Sequence, residues 1–163
     1  MLALIFRVLE TRYAIACRRI VEVIPLVELR PTPGAARWIS GNFVYRGALT
    51  PVLDLCELLG GYTCPAWLST RIVITEVRLD GKTVRAGLMA EHVTEARHVQ
   101  GQALAGAALA AEPYLGDLIQ EGENLLQILH PERIDLLTHG VSPETGMRGS
   151  LTSGEADRAT AEP

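Results

Sequence analysis

Hydrophobic positions recur with a period of two along most of the chain, in short runs. Leu2, Leu4, Phe6 and Val8 alternate with Ala3, Ile5 and Arg7, which predicts a half-buried strand starting almost at Met1. Glu10-Thr11 turns the chain back into Tyr13 to Cys17, and Ile20 to Pro25 forms the next strand. On that strand Ile20, Glu22 and Ile24 share one face, while Val21 and Val23 share the other. Glu22 leaves two readings open. It is either a guard against aggregation on an edge strand or the charge that sets register within an apolar contact face.

Pro31 to Gly34 reads as a loop, followed by a brief helical turn at Ala35 to Trp38. The stretch Ile39 to Leu55 then reads as two short strands around a tight Arg46-Gly47 turn, closed by a helix start. Gly47 supplies the positive φ that a two-residue hairpin needs, which places Arg46 at the tip. Asp54, with Glu57 three positions on, has capping-box spacing, and Gly60-Gly61 stops the short helix. In the loop from Gly60 to Ser69, Trp67 is expected to cover core.

Arg71 to Val77 and Val84 to Met89 pair about Asp80-Gly81, and a weaker strand runs from Val93 to Val99. The Ala- and Gly-rich stretch Gly101 to Glu112 is expected to be a loop with at most one helical turn. Tyr114 to Ile119 and Asn124 to Leu129 make a last hairpin about Glu121-Gly122. Pro131 to Leu137 is expected to form a short helix. From Gly140 onward large apolar residues almost vanish, so a folded domain at 1–138 and a disordered tail at 139–163 are expected.

About ten short strands with little helix indicate an all-β barrel or sandwich. The strands fall into two groups around the Gly60–Ser69 loop, enough for two small barrels sharing a core.

Composition narrows the class of function. The 163 residues are 48% hydrophobic, sufficient for a folded core, and the net charge of -4 argues against a nucleic-acid binder. No apolar run approaches the roughly 20 residues of a membrane span. Arg7 and Glu10 interrupt the N-terminus before a signal-type apolar core can form, so a cytoplasmic protein without membrane insertion is expected.

Cys17, Cys56 and Cys64 form no close C-x-x-C pair, and His92, His98, His130 and His139 lack ligand spacing. The cysteines are expected to be buried small hydrophobes, and no cofactor or metal is implied. There is no G-x-S-x-G elbow, H-E-x-x-H, Walker loop or G-x-G-x-x-G fingerprint. Glu91-His92 is a lone acid–imidazole step. No catalytic residue is assigned, and a surface that binds is expected in place of an active site.

The run Gly41-Asn42-Phe43-Val44-Tyr45-Arg46-Gly47, followed by Thr50-Pro51-Val52-Leu53-Asp54-Leu55, resembles the G-x-x-N-L-R-G…P-V-x-D-L signature of CheW-like domains. Tyr13-Ala14-Ile15 with Ile20 to Val23 is similar to the family's second and third strands. Gly87-Leu88-Met89-Ala90 with Val93-Thr94-Glu95 resembles its G-L-x-V-D-x-V-x-E segment, and Tyr114-Leu115-Gly116 and Ile128 to Leu137 also fit. The resemblance runs from Met1 to Leu137. Val44 and Tyr45 replace the family's usual Asn and Leu before the arginine, a departure that bears on partner choice. Tyr45-Arg46-Gly47, Leu68 to Ile72 and Gly87 to Glu91 together look like the stand-alone subgroup of alternative, Wsp-type chemosensory pathways.

The resemblance implies two five-stranded SH3-like β-barrel subdomains with a shared hydrophobic core. It also implies a non-catalytic adaptor, with no cofactor, between a CheA-type histidine kinase and methyl-accepting chemotaxis receptors. One subdomain edge would pack on the kinase's regulatory domain, and a separate groove would take the cytoplasmic tip of the receptor. Such a protein is cytoplasmic and recruited to receptor arrays at the inner membrane. Family contact positions fall on Ile20, Glu22, Gly41 and Arg46, and their neighbours Val44, Tyr45 and Gly47 complete the candidate set. The alternative is a free-standing SH3-like regulatory module that binds or titrates a single protein partner.

Overall fold

The computed structural model describes residues 1–104 and 112–137. The tail expected at 139–163, which contains His139, and most of the Gly101–Glu112 stretch lie outside the described residues. In chain order the strands are β1 (Leu2–Val8), β2 (Thr11–Ala16), β3 (Ile20–Pro25), β4 (Ile39–Tyr45) and β5 (Ala48–Asp54). Helix α1 (Leu55–Gly60) precedes β6 (Arg71–Leu79), β7 (Lys82–Ala90), β8 (Glu95–His98), β9 (Gln102–Ala103), β10 (Leu115–Glu121) and β11 (Asn124–Leu129). The helix expected from Pro131 is a single 3-10 turn, Pro131–Arg133.

These strands make two sheets, ordered β8-β1-β2-β11-β10-β9 and β3-β6-β7-β5-β4. The dividing line is not the Gly60–Ser69 loop. That loop lies inside the second sheet, between β5 and β6, and the whole β3–β7 block is inserted between the two halves of the first. The first sheet is joined by the parallel pair β11 and β2, with Ile128 opposite Ala14. Alternation identifies a strand but not its distant partner, so this pairing is invisible in the sequence.

The sixth strand of the first sheet is a continuation of another. β8 lies at one end, on β1, and β9 lies at the other, on β10, with only residues 99–101 between them. The chain therefore crosses from one edge to the other and closes the sheet into a five-membered ring, as an SH3-like barrel requires. Gly101 stands at the crossing, where a Cβ would overlap the Gln120 carbonyl oxygen. Arg97 of β8 ties the ends together by donating to both carboxylate oxygens of Glu121 on β10, at 3.0 and 2.7 Å. The Gln100 N–H adds a third donor to Glu121, at 3.0 Å.

The two barrels share one core. Leu4, Phe6, Val8 and Ile15 from the first sheet join Leu53, Ile72 and Leu88 from the second in a single cluster. The other face of β1 is buried as well, with Ala3 and Ile5 packed against Ala14, Leu126 and Ile128. β1 is thus not the half-buried strand its alternation suggests: one side fills its own barrel and the other meets the second barrel. Asp54 caps α1 as expected, accepting the Glu57 N–H at 3.1 Å, and Gly61 ends the helix in the left-handed region.

The Arg97 guanidinium holds the Glu121 carboxyl below its ordinary range, outweighing burial. A carboxyl lowered in the folded state stabilises above its unfolded value and loses that contribution as pH falls through the folded one. Glu121→Gln is therefore expected to cost about 1 kcal/mol at neutral pH, as for a solvent-screened pair. Urea titrations of both proteins should show the difference shrinking as pH falls through and below the ordinary carboxylate range, as the wild-type carboxylate protonates.

Candidate functional site

The Arg46-Gly47 turn folds as its residues dictate, with φ of 48° and 79°. Both are positive, as the two-residue turn of a twisted hairpin requires. Gly47 adopts this without strain, whereas Arg46 meets the steric penalty that an L side chain carries there. Contacts of its side chain hold it in place. Arg46 donates to the Glu22 carboxylate at 3.1 Å, and its guanidinium lies over the Tyr45 ring, 5.1 Å from the centroid. Arg85 of β7 approaches the same ring at 5.9 Å. Tyr45 also donates its hydroxyl to Glu22, and the accepting carboxylate raises its phenol above the ordinary value.

These contacts join two separate sequence signals. Glu22 sits on β3 and Tyr45 ends β4, the two outer strands of the second sheet. A bulge between Ile20 and Glu22 marks the β3–β6 pairing, and another between Ile39 and Gly41 marks β4–β5. Bulges twist edges and redirect side chains. The Glu22 carboxylate spans the gap and closes the second barrel, as Glu121 closes the first.

Not every candidate residue faces solvent. Ile20 is half-buried and packs against the shared core. Gly41 is buried at φ 146°, and a Cβ there would overlap the Arg30 carbonyl oxygen. Its place is structural: it lets β4 pair with Arg30, whose N–H and C=O bond to Asn42 at 2.8 and 2.9 Å and cover part of the outer edge. Tyr45 is buried. The exposed members are Val44, 67% accessible, Arg46, whose side chain is 61% accessible, and Gly47 at the turn.

Sequence reasoning missed Leu49. It stands directly opposite Val44 across the hairpin and is 68% accessible, so the two form an outward apolar pair beside Arg46. Val21 and Val23, on the outer face of β3, are also exposed. The visible cue was register: with Arg46-Gly47 as the turn, Leu49 must pair with Val44. Trp67 does not cover core; it and Leu68 are exposed on the loop before β6. That loop is braced by Thr70, whose hydroxyl donates to the Pro65 carbonyl at 2.6 Å, so the indole is held outward.

The remaining polar groups do not form an active site among the described residues. Glu91 accepts a hydrogen bond from the Tyr62 hydroxyl, and the His92 imidazole stands 3.9 Å from it. A cleft of about 290 Å³ lies beside His92, lined by Phe6, Arg7, Arg12 and Glu95. Arg7 and Arg12 face each other across β1 and β2, a like-charge pair that costs stability. Cys56 and Cys64 are buried as expected, whereas Cys17 is only half-buried, and the chain reversal at Gly60-Gly61 brings the Cys56 and Cys64 sulfurs together.

Comparison with known proteins agrees with this architecture. The profile of the CheW-like domain matches residues 2–136. A stretch of 77 residues is 36% identical to Protein PilI of Pseudomonas aeruginosa, covering 47% of this chain and 41% of PilI. The chain thus spans less than half the length of that relative. The crystal structure of the scaffolding protein TtCheW from Thermoanaerobacter tengcongensis superposes with a TM-score of 0.62 at 20% identity, over 80% of this chain and 84% of the other. With the signature hairpin, the paired barrels and a profile match over nearly every described residue, the chain belongs to the CheW-like domain family.

Proposed function

We propose that this chain is an adaptor that couples methyl-accepting chemoreceptors to a CheA-type histidine kinase. The CheW-like family consists of non-catalytic scaffold proteins of chemosensory systems. Coupling two partners requires two surfaces that can be occupied together. The observation that carries the proposal is the exposed Val44–Leu49 pair flanking a clamped Arg46. Apolar side chains there supply buried area, and the fixed charge selects register and partner. Because the clamp has already ordered the tip, docking costs less side-chain entropy.

The cleft beside Arg7, Arg12 and His92 lies on the first barrel and the segment after β7. It supports the reading as a second, separate surface of different chemistry. In the proposed arrangement the hairpin face takes the kinase's regulatory domain and the cleft takes the receptor tip. No described helix is long and apolar enough to cross a membrane, so recruitment to arrays would run through the receptors.

Leu49→Asp is expected to keep the fold, because the side chain is exposed, and to weaken kinase-domain binding about 30-fold by calorimetry, the equivalent of about 2 kcal/mol. Arg46→Glu is expected to fold, yet lose receptor control of kinase activity in a reconstituted assay. A wild-type response from that variant would remove Arg46 from the site.

Co-sedimentation with receptor-containing membranes and the kinase should give a ternary complex in which receptor ligands change autophosphorylation. Binding of only one partner at a time would favour the free-standing regulatory module.

A further inference from the structure

α1 and the loop after it carry a feature that partner binding does not use. Asp54, Cys56 and Cys64 each offer one donor atom, and these three atoms lie within 4.8 Å of one another. All three residues are buried, at 2%, 0% and 8% exposure. They come from one short stretch that α1 and Gly61 fold back on itself. Two thiols and a carboxylate form a donor set that suits a borderline-soft divalent ion.

Hydrogen bonds within the cluster fix its geometry. Burial pushes the Asp54 carboxyl up, although the Cys64 and Glu57 N–H groups, at 2.8 and 3.1 Å, work against this. The Cys64 thiol donates to Cys56, which lowers Cys56 and leaves Cys64 well above its usual value. Each carboxylate oxygen keeps a second lone pair for the metal beyond its N–H bond.

We propose that Asp54, Cys56 and Cys64 form a Zn²⁺-binding site in which three protein donors leave a fourth position open. Binding replaces the thiol protons, so affinity rises with pH as they leave. The site would clip α1 to the loop that leads into β6. Between the two cysteines, Tyr62 donates to Glu91 and accepts the Leu9 N–H at 3.4 Å. Leu9 follows β1, so occupancy would stiffen the junction between the two barrels. The spacing Asp-x-Cys…Cys hides the site in the sequence, because the last donor arrives only through the reversal at Gly61.

The test is anaerobic titration of the full, reduced chain with Co²⁺ as a spectroscopic stand-in for Zn²⁺. The expected result is a thiolate-to-cobalt charge-transfer absorption with tetrahedral ligand-field bands. These saturate at one ion per chain and are displaced by Zn²⁺. Cys56→Ser and Cys64→Ser should each abolish the charge-transfer signal, while Cys17→Ser keeps it. Asp54→Asn retains a good helix cap and should bind Co²⁺ at least about tenfold more weakly, the loss typical of a weakened metal site. Zn²⁺ at about a hundredfold above its Kd should raise Tm on the order of 5 °C. No thiolate band in the reduced wild type would overturn the proposal, as would a band that survives loss of both cysteines or an unchanged affinity in Asp54→Asn. The wild-type titration decides the matter even if a cysteine variant fails to fold.

Discussion

The carboxylate of Glu22 is the constraint on which the second barrel depends. It reaches from β3 to the opposite outer strand and accepts from both Tyr45 and Arg46. That bridge ties the two outer strands together across the seam, while Arg30 covers part of the β4 edge through its backbone bonds to Asn42. The first barrel solves the same problem with a different pair, Arg97 and Glu121, where the chain crosses from β8 to β9. In each case a charge-assisted contact fixes how a sheet closes, while the shared apolar core supplies the bulk of the stability.

The same bridge underlies the proposed docking face. Arg46 occupies a backbone region that suits Asn or Gly better, and its contacts with Glu22 and the Tyr45 ring hold it there. Those contacts also order the hairpin, so Val44 and Leu49 stand outward on a rigid support. A site built on strands is positioned more accurately than one on a mobile loop. A CheW-like domain needs no catalytic group to act. It needs surfaces whose geometry survives the encounter with a partner.

Local chemistry was legible in the sequence. The Asp54 cap, the Arg46-Gly47 and Asp80-Gly81 turns and the strands around them follow from residue type at fixed offsets. Glu22 and Arg46 were each visible as candidates, but as members of separate faces. Their union depends on β3 and β4 becoming neighbours at a barrel seam, a long-range fact that alternation does not encode. For the same reason the sequence suggested a split at the Gly60–Ser69 loop, while the structure inserts β3–β7 into the first barrel. Trp67 reads as core by composition, yet Thr70 and Pro65 brace its loop in the open. Ile20 and Gly41 were legible as special positions, although the structure gives them packing surroundings.

In the proposed docking face Glu22 and Arg46 act as one unit that presents the hairpin. A double-mutant cycle tests this most directly, with Glu22→Gln and Arg46→Gln made singly and together. Binding to the regulatory domain of a CheA-type kinase would be measured by calorimetry. The account predicts non-additivity of about 1 kcal/mol or more, because either change alone already breaks the clamp. Additive losses, within about 0.3 kcal/mol, would mean that the two residues act independently and would contradict it.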